Sequence, residues 1–149
     1  MINGKVLNTI PPAVIKDNAD FTATEIDTQG YSSVDVIFAL GASDIAMAAL
    51  KLQESDTAGS GQADITGLVF GTSTNIAGST SALPSSTDDN KVYILSIKNM
   101  QGRKRYLTLV ATAGDGSAGT YASAITILSK GDIQPLTAAG IGCDEILAV

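Results

Sequence analysis

The residues best equipped for chemistry in this chain are its bases, because they are few and clustered. Arg103, Lys104 and Arg105 stand side by side in "QGRKRYLTLVATAGDGSAGTY" and include both arginines among nine basic residues. A guanidinium clamps a carboxylate or phosphate through two parallel hydrogen bonds. Such a knot therefore suits a rim salt bridge to an acid of the same chain, a contact with an acidic patch on another subunit, or a grip on nucleic acid. The first reading leads and the second follows. The third comes last, because fifteen acids leave the chain at −6. That sign argues against direct binding of nucleic acid or an anionic membrane.

Catalytic constellations do not assemble from the remaining residues. The chain has no histidine, so neither a Ser-His nor a Cys-His pair is available. "GASDIA" and "GDGSAG" lack the lysine and the strand-loop-helix setting of a phosphate-binding loop. "DTAGSGQAD" has the outline of a calcium loop, but Ala58 and Ser60 stand where liganding side chains belong. Asp88 and Asp89 are adjacent acids in a Ser/Thr-rich stretch, suited to holding a cation or to solvation. Many carboxylate pairs are possible, and nothing selects one for hydrolysis. Cys143 is alone, which removes intrachain disulfides and structural zinc. The expectation is a non-enzymatic protein without metal or cofactor, with Arg103, Lys104, Arg105, Asp88 and Asp89 as candidate partner contacts.

The elements that must position these residues are short strands. "SSVDVIFAL" alternates, with Val34, Val36, Phe38 and Leu40 on one side, and "YLTLVATA" does the same with Leu107, Leu109 and Ala111. "KVYILSIK" and "TYASAITILSK" are rich in β-branched and aromatic residues. "FTATEID" reads as a further strand, and "KVLNTI" and "CDEILAV" as weaker ones. The turns "KNMQG" and "GDGSAG" predict a three-stranded antiparallel meander over residues 91–130. "SDIAMAALKLQE" combines a Ser43 N-cap and helical apolar spacing with an alternating end. It is read as a helical turn over 43–47 followed by a strand to about Glu54, with a full helix as the alternative.

Two segments fall outside this pattern. Residues 71–90, "GTSTNIAGSTSALPSSTDDN", form a long polar loop of the kind that is functional or disordered. Pro11 and Pro12 make residues 1–20 an extended N-terminal arm and a second candidate partner contact. Residues 21–149 then form one antiparallel, all-β sandwich of about eight strands. Strand count alone leaves both a jelly roll and an immunoglobulin-like sandwich open.

Charge is unevenly distributed. Residues 17–90 hold eleven acids and one base, whereas residues 91–130 hold six bases and one acid. Either strands of the two halves interleave and neutralise each other, or neighbouring subunits attract. Only 16% of residues are charged, against about 25% usually, which suits a molecule packed against others. No apolar run reaches the roughly 18 residues of a membrane helix, and the N-terminal stretch lacks the pattern of a signal peptide. Folding in a cytoplasm is expected.

"SSVDVIFALGASDIAMAALKLQESD", "VFGT" and "RKRYLTLVATAGDGSAGTYASAITILSK" resemble, in this order, a family of small proteins encoded among the head genes of tailed bacteriophages and prophages. The resemblance covers roughly residues 20–130. These proteins are similar to capsid cement, or decoration, proteins. The resemblance implies a jelly-roll domain on the outer surface of the virion capsid, made in the bacterial host cytoplasm, that clamps neighbouring major capsid protein subunits and self-associates as dimer or trimer. It carries over no catalytic or binding residue. The alternative is a carbohydrate-binding or adhesion module of a phage tail or fibre. Sugar sites favour exposed aromatic platforms, and here only Tyr31, Tyr93, Tyr106 and Tyr121 could serve, with no tryptophan.

Overall fold

The computed structural model describes residues 4–12, 15–131 and 138–145. Eight strands make two four-stranded antiparallel sheets that form a sandwich. The strands are β1 Gly4–Ile10, β2 Ile26–Asp27, β3 Tyr31–Ser43, β4 Ala49–Ser55, β5 Ala63–Val69, β6 Val92–Ile97, β7 Tyr106–Thr112 and β8 Thr120–Gly131. One short helix, α1 Ala138–Ile141, follows. The first sheet has the order β1-β8-β3-β6, and the second has β2-β7-β4-β5. No helix among the described residues is long and apolar enough to cross a membrane.

Alternation explains the core. Val34, Val36, Phe38 and Leu40 of β3 are buried, as are Leu107, Leu109 and Ala111 of β7. Leu50 and Leu52 of β4, Leu95 of β6 and Ala124 and Leu128 of β8 complete one continuous cluster between the sheets. Each large aliphatic side chain removed from water there contributes about 1.5–3 kcal/mol before the entropy of ordering is subtracted. The buried polar pair is equally specific. β1 bulges between Asn8 and Ile10, and the Thr9 hydroxyl meets that of Thr126 at 2.6 Å. Phe70 closes the rim edge-on against Tyr93, with ring centroids 5.6 Å apart.

The expected meander is not formed. β6 lies in the first sheet beside β3, β7 in the second between β2 and β4, and β8 in the first between β1 and β3. Inward-facing leucines look the same whether the next strand is in the same sheet or the opposite one, so periodicity does not choose the partner. The connections do choose. Residues 98–105 and 113–119 are longer than hairpin turns and span the roughly 10 Å between packed sheets.

Four further expectations need correction. "FTATEID" pairs regularly only at Ile26 and Asp27, because the Phe21 N–H donates to Ala111 in the second sheet and the Thr24 N–H to Thr9 in the first. The helical turn at 43–47 is absent. Ser43 ends β3, its hydroxyl donates to the Ile45 carbonyl, and Ile45 and Ala48 face solvent while Leu50 and Leu52 are buried. The strand that follows it is β4, as expected. The arm over 1–20 is, in residues 4–10, an edge strand of the sandwich, because "KVLNTI" finds a complete partner in β8. Residues 1–3 and 13–14 of that arm lie outside the described residues. "CDEILAV" forms no strand over residues 143–145, and its remainder also lies outside the described residues. β5 takes its place in the count of eight. It is a weak edge strand whose Gly67 sits at φ 90 and which has one fully buried apolar side chain, Ile65.

Candidate functional site

The basic triad lies in the connection entering β7, at one end of the second sheet. β7 runs between β2 and β4, and the two arginines tie it to one neighbour each. Arg103 Nε donates to Glu54 Oε2 at 2.8 Å, and its Nη2 donates to the other oxygen. The Lys104 backbone N–H adds a third bond to Glu54 at 3.2 Å, and its Nζ stands 3.7 Å from Asp56. Arg105 forks onto Asp27 at 2.8 and 2.7 Å and lies 4.9 Å over the Tyr106 ring. The hydrogen bonds from Arg103 hold the Glu54 carboxyl below its ordinary value against the opposing effect of burial. Arg105 does the same to Asp27.

Both arginine forks are thus filled within the chain, by acids from the acidic half. Lys91 with Asp88 repeats the arrangement, whereas Lys51 pairs with Asp64 inside the acidic half. The charge division along the sequence is therefore bridged in space by interleaved strands and loops.

The other candidate contacts separate. Asp88 accepts from Lys91 Nζ at 2.7 Å and from the Ser85 N–H and hydroxyl, which together lower its pKa to about 2. Asp89 accepts from the Ser43 N–H at 2.9 Å and anchors the long loop to the end of β3. Among the described residues, no group of three or more potential ligands is placed to hold a metal ion. The loop itself is ordered by its own backbone. Gly71 donates to Ser81, Ser81 to Ser73 and Asn75 to Ser79, which raises the fully exposed Ile76 on a small hairpin. Pro11 and Pro12 are exposed, and Pro12 borders a shallow depression with Gly41 and Tyr121.

That depression belongs to a surface the sequence reading did not single out. Ile94, Ile37 and Ile125 stand in register across β6, β3 and β8, facing away from the core. Ser96, Asp35, Ile127 and Val6 make the next row, and Val92, Ala39 and Ser123 the row on the other side. Ile94 is 58% exposed and Ile125 is 47% exposed, and Val92 and Tyr121 are also open to solvent. With strands about 4.8 Å apart and rising about 3.3 Å per residue, the face covers roughly 300–400 Å². That area includes Asp35, Ser96 and Ser123, so its apolar part is smaller; exposed aliphatic patches of a few hundred Å² on a monomer are often functional. Past Ile94 the surface runs into a groove of about 280 Å³ between β5 and β6, which Ile76 and Lys98 also line.

The outer face of the second sheet is different. There Lys51 and Gln53 share Asp64, and the Thr112 hydroxyl donates to Asp20. One side of the sandwich is an ordinary wet surface, and the other is aliphatic. The signal for the aliphatic side was present in the sequence. "KVYILSIK" and "TYASAITILSK" are apolar in both phases of the alternation, the pattern of strands covered on both faces. No known protein family, curated protein or solved structure matches this chain.

Proposed function

We propose that this protein is a non-enzymatic structural component of a tailed-phage virion. It docks on the outer surface of the capsid and stabilises contacts between major capsid protein subunits. The observation that carries this reading is the contrast between the two sandwich faces. An aliphatic sheet face that no part of the described chain covers is a surface built to be covered by a flat partner. The jelly-roll reading is supported by the strand orders β1-β8-β3-β6 and β2-β7-β4-β5, with most successive strands alternating between sheets. Filled ion pairs and a self-bonded loop suit a rigid clamp, which loses little conformational entropy on docking.

The sugar-binding alternative gains nothing from the geometry. Of the four tyrosines only Tyr121 is largely exposed, so no stacking platform of several rings is presented. Cryo-electron microscopy of purified virions tests the proposal. Density for this sandwich on the outer capsid surface, first sheet inward, is the expected result. Density at the tail or fibre tips, or none on the particle, overturns it.

A further inference from the structure

We infer that the partner surface seated on the first sheet carries a basic side chain that pairs with Asp35. This rests on the docking reading and names what the partner must offer. Asp35 lies inside the aliphatic face, in register with Ser96 on one side and Ile127 on the other. The Ser96 hydroxyl donates to Asp35 Oδ1 at 2.5 Å, and no cation of the described residues forms an ion pair with it. Among the described residues, the acids that do form ion pairs lie on the second sheet, in its connections or in the long loop.

A flat apolar partner laid over this face would strip water from a carboxylate holding a single hydroxyl donor. That is strongly unfavourable unless the partner returns a charge. The three rows of a second copy offer no base, its Lys98 lies in the groove beyond them, and two chains of net charge −6 repel, so a second copy is the weaker fit. An anionic lipid surface would repel both Asp35 and a chain of net charge −6. A protein surface with aliphatic side chains around one arginine or lysine satisfies both the rows and the acid. Arginine fits better, since its fork can hold Asp35 and leave the Ser96 bond in place.

The test uses the full chain and capsid particles stripped of it, immobilised for interferometry, with thermal melting as the control for folding. Wild type should bind. Asp35→Asn keeps the shape and the Ser96 bond. It should dissociate roughly thirtyfold faster or more, with a small change in association rate. Asp35→Glu should recover part of that loss, and Ile125→Lys should abolish binding. Should either Asp35 variant melt far below wild type, the salt dependence of wild-type dissociation decides instead, and insensitivity to salt overturns the pairing. If Asp35→Asn dissociates like wild type while Ile125→Lys fails to bind, the docking face stands and the charge pair falls. If wild type does not bind, or Ile125→Lys binds normally, the docking reading falls with it. A wild-type dimer in free solution that Ile125→Lys dissociates makes a second copy the occupant and overturns the inference.

Discussion

Replacing Arg103 with glutamine removes the fork on Glu54 and leaves a carboxylate with one backbone donor, the Lys104 N–H. The side chains of Glu54 and Arg103 are only 12% and 32% exposed, so water restores little of what is lost. Charged hydrogen bonds of this kind are worth about 1.5–3 kcal/mol, and exposed ion pairs about 0–1. Partial burial places this pair between the two, at about 1–2 kcal/mol. For a domain of this size that corresponds to a fall of about 3–6 °C in Tm at pH 7. The pH dependence follows from the lowered Glu54 pKa. The pair's contribution is complete above the unfolded value near 4.5 and fades as pH falls through the lower folded value. Melting followed by circular dichroism at pH 7 and near pH 2.5 should therefore show a deficit for Arg103→Gln that shrinks in acid. Arg105→Gln should lose less than Arg103→Gln, because its pair with Asp27 is 43% and 48% exposed. An equal deficit at both pH values, or none at pH 7, would refute the assignment of this energy to the ion pair.

Other outcomes are equally specific. Phe38→Ala empties a fully buried site beside Tyr93 and should cost about 3–5 kcal/mol in urea unfolding, a large part of a domain's usual stability; a loss below 1 kcal/mol would contradict the core as described. Carbon-detected NMR should place the Asp88 titration near 2, and Lys91→Ala should move it upward; an unmoved midpoint would remove Lys91 as the main cause. Light scattering at micromolar concentration should give a species heavier than the 15.2 kDa monomer that Ile125→Lys leaves assembled, and a monomer alone would count against self-association.

The strands were legible wherever one phase of the alternation was apolar, as in "SSVDVIFAL" and "YLTLVATA", because burial on one face writes itself into every second residue. Pairing was not legible. Leu107, Leu109 and Ala111 face inward in a meander and in a sandwich crossover alike, and only the length of the flanking connections separates the two. β5 was invisible because an edge strand with Ile65 as its fully buried apolar residue carries almost no periodic signal. At the candidate site, the arginine triad attracted notice through its chemistry, and its first reading, a rim salt bridge within the chain, is the geometry found. The aliphatic face was overlooked for the opposite reason. Its side chains are ordinary strand formers, and only register across three strands turns them into a surface.

The place of β8 between β1 and β3 also governs how the chain is made. β1 leaves the ribosome long before its partner, which is the last strand among the described residues. At about 5–20 residues per second, Gly4–Ile10 waits on the order of ten seconds for Thr120–Gly131. For that interval the first sheet cannot close, and β3 keeps one flank of backbone donors and acceptors unpaired. β8 joins β1 to β3, so the first sheet takes its full width only when that strand arrives. Closure of the first sheet is thereby deferred until Thr120–Gly131 has been made, and a chain interrupted before Thr120 cannot join β1 to β3.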